Sequence, residues 1–164
     1  MKEPLITQRL LLEPWISQDR WELAADLNRM WMQPGVRQQV WDDFAITEER
    51  AAEKVQEFAG SFWTICEKGR KGAPAIGFCG IRDGSELVFA LGPDHWKADF
   101  AKEAIEAVAI AYWASFPHER RLLTGAETDD SRSITVLKQV GMVFDREENG
   151  VQYFALARPR ELAA

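Results

Sequence analysis

Residues 86–104 read Glu86-Leu-Val-Phe-Ala-Leu-Gly-Pro-Asp-His-Trp-Lys-Ala-Asp-Phe-Ala-Lys-Glu-Ala, and no other stretch constrains the chain as much. An apolar run of strand length turns at Gly92-Pro93, crosses a short loop and enters an apolar helical pattern at Phe100 or Ala101. This is a strand, a loop and a helix start. The first N–H groups of a helix have no intrahelical partner and sit at the positive end of its dipole, so such a loop can hold a phosphate or pyrophosphate.

The chain before this stretch reads as a strand at 7–12, closed by Pro14, then a helix capped by Ser17 with Leu23, Leu27, Met30 and Trp31 at helical spacing up to Pro34-Gly35. Residues 36–44 show no period and are expected to form a loop. Thr47 is placed to cap a second helix with Glu48 and Glu49 in its first turn and Ala51, Val55 and Phe58 on one face. Residues 62–67, 75–81 and 87–91 read as strands, and their short connections favour an antiparallel meander.

After the central loop, Ala101, Ala104, Ile105, Val108 and Tyr112 form a stripe that Ala109, Ile110, Ala111 and Trp113 widen to nearly all round, the pattern of a mostly buried helix stopped by Pro117. A strand at 122–126 and a helix at 131–140 ending on Gly141 follow. Residues 143–146 and 151–157 flank Glu-Asn-Gly and close a hairpin. The expectation is one α/β or α+β domain over residues 1–164.

The formal charge of −6 argues against a nucleic-acid backbone as the main partner, because that binding rests on clustered Lys and Arg. Two cysteines, Cys66 and Cys79, lie in separate apolar runs and are expected as buried free thiols; with only His95 and His118 beside them there is no metal-ligand spacing, so no metal is expected. No signal-peptide pattern opens the chain and no apolar run reaches bilayer length, so the cytoplasm is the expected compartment and no membrane partner is expected.

The order of elements resembles the GNAT superfamily of acyl-CoA-dependent N-acetyltransferases, whose fold is a central mixed, mostly antiparallel sheet flanked by about four helices. Four segments carry the resemblance. Thr7-Gln-Arg9-Leu10-Leu-Leu12 is similar to the Thr-x-Arg-Leu-x-Leu opening of the branch that includes the ribosomal-protein N-terminal acetyltransferases. Glu86-Leu-Val-Phe-Ala-Leu-Gly-Pro93-Asp-His-Trp96 resembles that branch's Glu-Ile-Gly-Tyr-Trp-Leu-x-Pro-x-Tyr-Trp. Ala101-Lys-Glu103-Ala104 resembles the start of its cofactor helix, and Asp130-x-x-Ser133-x-x-Val136-Leu137-x-x-x-Gly141-Met142 its Asn-x-x-Ser-x-x-Val-Leu-x-x-x-Gly-Phe.

Two departures stand out. The family's pyrophosphate loop carries glycines, whereas Trp96-Lys97-Ala98-Asp99-Phe100-Ala101 has none, and Asp99 adds a negative charge near where two phosphates would lie. Asp130 stands where the family has Asn.

The resemblance implies acetyl-CoA as co-substrate, bound by residues Phe89, Ala90 and Leu91 of the strand, by Trp96, Lys97, Ala98, Asp99, Phe100 and Ala101 of the loop, and by Asp130 and Ser133. Amide formation from a thioester needs a neutral amine, a polarised carbonyl and a stabilised thiolate. Glu86 is the candidate base, a backbone N–H near Phe89 to Leu91 the polarising donor, and Ser133 the donor to the leaving thiolate. Trp31 and Trp41 are candidate walls for the acceptor, and Asp42 and Asp43 candidate partners for its cationic amine. The acceptor itself, a small molecule or a protein N-terminus, is left open, and paired subunits are frequent in such a family. A non-catalytic GNAT-fold ligand-binding or interaction module, and a transferase using another acyl-CoA, are the alternatives.

Overall fold

The computed structural model describes residues 2–36, 45–69, 75–96 and 99–160. Eight strands form one sheet in the order β1-β2-β3-β4-β5-β6-β8-β7. They are β1 (Leu5–Ile6), β2 (Leu10–Pro14), β3 (Phe62–Glu67), β4 (Gly77–Arg82), β5 (Glu86–Leu91), β6 (Arg121–Glu127), β7 (Val143–Glu148) and β8 (Val151–Ala157). Every pairing is antiparallel except that of β5 with β6. That parallel step follows from the crossover helix between them, since a chain cannot reach a parallel neighbour through a tight turn. The mixed, mostly antiparallel sheet with four α-helices among the described residues is the expected fold class.

The helices are α1 (Arg20–Trp31), α2 (Glu48–Phe58), α3 (Phe100–Ser115) and α4 (Ser131–Val140). They divide between the two faces of the sheet. On one face, Leu23, Leu27, Met30 and Trp31 of α1 and Ala51, Ala52 and Val55 of α2 pack with Phe62, Phe78, Val88 and Ala90. On the other, Ala104, Ile105, Val108 and Tyr112 of α3, with Leu137 of α4, pack with Ile65, Cys79, Leu87, Phe89 and Leu91. The period of two along β5 therefore sends Val88 and Ala90 one way and Leu87, Phe89 and Leu91 the other. The α3 stripe is less complete than its sequence suggests, for Ile110 is 56% exposed.

Caps fix the helix starts. Thr47 caps α2 through Arg50 N–H as expected, but α1 is capped by Asp19, whose side chain accepts from Trp21 and Glu22 N–H, while the Ser17 hydroxyl donates to the Pro14 carbonyl. Ser17 instead closes a 3-10 turn over Trp15–Ser17, which postpones the cap by two residues, to Asp19. The β7–β8 hairpin turns on Asn149 and Gly150, both at positive φ (52° and 78°), as a two-residue hairpin turn of matching twist requires.

Glu103, in the first turn of α3, clamps the N-terminal strand to that helix. Its carboxylate accepts from the Thr7 hydroxyl, from Arg9 N–H at 2.9 Å and from Arg9 Nε at 2.9 Å. Burial pushes its pKa up, and the Thr7 and Arg9 hydrogen bonds outweigh this and hold it below the usual glutamate value. The Thr-x-Arg opening thus positions the first turn of α3. Cys79 is buried and Cys66 partly so, both as free thiols. Among the described residues no helix is long and apolar enough to cross a membrane.

Candidate active site

The sheet is fully paired on both sides of its centre and splayed in the middle. β5 bonds β4 over its whole length, from Gly77↔Leu91 to Arg82↔Glu86, and β6 bonds β8 over seven pairs. Between β5 and β6 the ladder holds at Glu86↔Leu123 and goes no further. There Leu123 N–H donates to the Ser85 carbonyl at 2.9 Å, and the Thr124 hydroxyl donates to the Leu87 carbonyl at 2.8 Å in place of a backbone N–H. Backbone groups alternate sides along a strand, so Ser85, Leu87 and, by continuation, Phe89 turn theirs toward β6. Beyond Leu87 the strands part, and the Phe89 N–H faces the gap. A buried backbone donor left out of a ladder demands a partner.

A cavity of about 340 Å3 opens from this gap. Phe89 and Leu91 form its apolar floor, Asp99 and Ala101 bring the start of α3, and Asp130, Arg132 and Ser133 bring the start of α4. A narrow crevice between β5 and β6, walled by Arg82, Glu86 and Thr124, shares Phe89, Asp130 and Ser133 with it. Three of the residues singled out from sequence thus stand where the two spaces meet.

The start of α3 has an unusual backbone. Asp99, its N-cap, sits at φ 58° and ψ 20°, the left-handed region that glycine enters freely and that Asp tolerates better than most residues. The chain therefore takes a path open to glycine without having one. Asp99 makes no cap hydrogen bond, whereas Asp19, Thr47 and Asp130 cap the other three α-helices with their side chains. The Asp99 side chain thus satisfies none of the first N–H groups of α3, and this helix start borders the cavity.

Trp96 and Arg132 make the outer wall. Trp96 Nε1 donates to the Leu91 carbonyl at 2.9 Å, which anchors the indole, and the Arg132 guanidinium carbon lies 3.2 Å from the ring centroid. Such a cation–π contact contributes about 0.5–1 kcal/mol where solvent reaches it. Gly35, at φ 81°, closes over them: a Cβ there would stand 2.7 Å from Trp96 Cη2. The absence of a side chain at Gly35 lets the segment after α1 touch this wall.

At the start of α4, Asp130 is 7% exposed. Its Oδ1 accepts from Ser133 N–H at 3.2 Å, while Oδ2 is buried with no hydrogen-bond partner among the described residues. Ser133, 6% exposed, is capped by Asp130 and is not itself the cap.

Several residues singled out from sequence lie elsewhere. Trp31 is 2% exposed inside the α1/α2 core, which removes it as an acceptor wall. Ala90 turns its side chain to that same core, and its backbone lies on the β4 side by alternation, opposite Phe78. The Phe100 ring turns from the cavity to Arg9, whose guanidinium carbon lies 4.6 Å from its centroid. Glu86 walls the crevice, but Arg82 Nε and Nη2 each hold one of its oxygens at 3.2 Å. Lys97, Ala98, Trp41, Asp42 and Asp43 lie outside the described residues. Sequence reasoning missed Arg132, Gly35, Thr124 and Arg82; for Arg132 the signal was a cation inside the first turn of a helix already placed at the site.

Comparisons with known proteins agree with this fold. A family model described as the acetyltransferase (GNAT) domain matches residues 9–143. A search of curated proteins finds no match. Among solved structures, a GNAT-family acetyltransferase from Bacillus anthracis superposes with a TM-score of 0.75 at 15% identity, covering 94% of this chain and 98% of that one. A Vibrio cholerae protein provisionally described as a ribosomal-protein-serine acetyltransferase gives 0.75 at 17% identity, covering 95% and 98%. An acetyltransferase from Agrobacterium tumefaciens gives 0.69 at 22% identity, covering 95% of each chain. With a family model spanning most of its length and a splayed sheet beside an uncapped helix, the chain belongs to the acetyltransferase (GNAT) domain family.

Proposed function

We propose that the protein transfers an acetyl group from acetyl-CoA to a primary amine by direct attack in a ternary complex. The observation that carries this reading is the meeting of two backbone features in one cavity: the start of α3, whose N-cap side chain makes no cap hydrogen bond, and the edge of β5 at Phe89, beyond the last β5–β6 pair. The first suits a pyrophosphate and the second a thioester carbonyl. The apolar floor of Phe89 and Leu91 suits an aliphatic arm between them, and the Arg132 guanidinium supplies a positive charge close to the α3 start, which partly offsets Asp99. Bound acetyl-CoA would supply the activated acetyl thioester.

In this reading the Phe89 N–H polarises the carbonyl and the Ser133 hydroxyl donates to the departing sulfur. Holding amine and thioester together contributes most of the acceleration, as it does wherever a bimolecular step is made effectively unimolecular. Glu86, the base expected from sequence, has both oxygens on Arg82, so taking a proton means sharing or breaking those contacts. We therefore assign Glu86 to fixing the crevice wall; the amine's proton passes to solvent water, from which the departing thiolate is reprotonated. The two free thiols suit a reducing compartment, and we place the protein in the cytoplasm.

The test is a thiol-release assay with acetyl-CoA and longer acyl-CoAs against a panel of amines. The Vibrio cholerae relative's description makes serine-initiated peptides one arm of that panel beside polyamines and small alkylamines. Amine-dependent release of CoA is expected, fastest with the acetyl thioester. Binding of CoA without release on any amine would favour a non-catalytic module, the reading that the carboxylates of Asp99 and Asp130 at the cavity support.

A further inference from the structure

We propose that the crevice between β5 and β6 sets the length of the acyl chain that the site takes, and that Val88 and Gly125 are the residues that fix this limit. The position of the thioester rests on the transferase reading above; the limit on its size rests on the crevice itself.

The crevice holds about 10 Å3, against about 340 Å3 for the cavity it adjoins. That is close to the room one water-sized group needs. Phe89 and Ser133 line both spaces. A thioester with its carbonyl oxygen at the Phe89 N–H and its sulfur at the Ser133 hydroxyl therefore has its carbonyl carbon at the crevice mouth. The CoA arm runs from the sulfur along the cavity, so the acyl chain, attached on the other side of that carbon, points into the crevice.

The walls explain why so little room is left. Side chains alternate along a strand, and the crevice passes between β5 and β6 from one sheet face to the other. Leu87 and Ala126 belong to the core under α3 and α4, Val88 to the core under α1 and α2, and all three are buried. The last β5–β6 pair, Glu86↔Leu123, closes one end. Walls backed by helices on both faces part only by moving a packed layer. Across from Leu87 and Val88, β6 brings its two smallest side chains, Gly125 and Ala126, and the space that remains is what these residues leave open. Gly125 is not among the glycines at positive φ, so its lack of a side chain answers to space and not to backbone strain.

The test measures the affinity of the full chain for CoA, acetyl-CoA, propionyl-CoA and butyryl-CoA by calorimetry, beside thiol release from the three thioesters on the amine panel. Free CoA carries no acyl group and is the control for both variants, since neither Val88 nor Gly125 lines the cavity. In the wild type the first added methylene should weaken binding by about tenfold, the effect of one methylene too many in a closed apolar site. Val88→Ala should bring propionyl-CoA within about twofold of acetyl-CoA, and Gly125→Ala should weaken acetyl-CoA by about tenfold, both with CoA affinity unchanged. The two changes act in opposite directions, so a loss of folding in one, checked by urea unfolding, cannot imitate the pair. Equal affinity of the wild type for all three thioesters, or discrimination that both variants leave unchanged, overturns the proposal; amine-dependent release from all three at one rate overturns it while the transferase reading stands. Discrimination in binding with no release on any amine sustains the size limit and sinks the transferase reading, and a protein that binds neither CoA nor any thioester overturns both.

Discussion

The starts of α3 and α4 face the same cavity and each begins with an aspartate, yet the two are built in opposite ways. Asp130 is buried, caps its helix through Oδ1 and keeps a second oxygen unsatisfied. Asp99 is exposed, makes no side-chain cap and holds a left-handed backbone. One helix start is closed and presents a side chain; the other is open and presents its backbone. The same residue type thus closes one helix start and leaves the other without a side-chain cap, because burial and cap geometry, not residue identity, decide what a helix start offers.

The largest test of this contrast is Ser133→Ala at the closed start. If the hydroxyl serves the leaving sulfur, kcat should fall by about 100–1000-fold, the range for a single acid or hydrogen-bond donor at a reacting group. An unchanged kcat would make the α4 start purely structural.

Next is Glu103→Ala, which unfastens the open start from the N-terminal strand. Loss of a largely covered carboxylate that accepts from Thr7 and twice from Arg9 should cost about 1–2 kcal/mol in urea unfolding at neutral pH. The Glu103 pKa is depressed in the folded state, so its contribution is complete above the ordinary glutamate value of about 4.3 and is lost as pH falls through the lower folded value. The gap between wild type and variant should therefore close on acidification; a gap independent of pH would remove the carboxylate as its source.

A smaller effect separates the two aspartates directly. Asp99→Gly removes a charge near the phosphates while keeping the left-handed path, and should tighten CoA binding by roughly fivefold, about 1 kcal/mol, with the gain shrinking at high salt. Asp130→Asn keeps the cap through Oδ1 and removes a buried carboxylate oxygen without a partner, and should raise ligand-free stability by about 0.5 kcal/mol. A loss of stability instead would mean that Oδ2 is better satisfied than its surroundings indicate.

Much of this contrast was legible in the sequence, and the illegible part has a physical pattern. Helix 131–140 and strand 62–67 were read to the residue because an apolar period and a glycine or turn bound them at both ends. The strand–loop–helix at the centre was legible because Gly92-Pro93 breaks the chain between two clear periods. Contacts across the sheet were not. Whether Trp31 lines a site or fills a core depends on which way α1 is rotated, and its spacing fits both. The pairing of Glu86 with Arg82 was hidden because it joins two strands across a turn, and Glu103 because its partners lie more than 90 residues away. At the splay between β5 and β6 a hydroxyl, that of Thr124, meets the Leu87 carbonyl, a contact that no local pattern announces.

The central claim is that the open start of α3 holds the phosphates of CoA despite a loop without glycine. Calorimetric titration of the protein with CoA at low salt, beside Asp99→Gly, tests it most directly. Micromolar binding by the wild type, roughly −8 kcal/mol, tightened by the glycine substitution, is the expected result. No binding by the wild type would contradict it, and binding gained only by Asp99→Gly would show that the aspartate had closed the site.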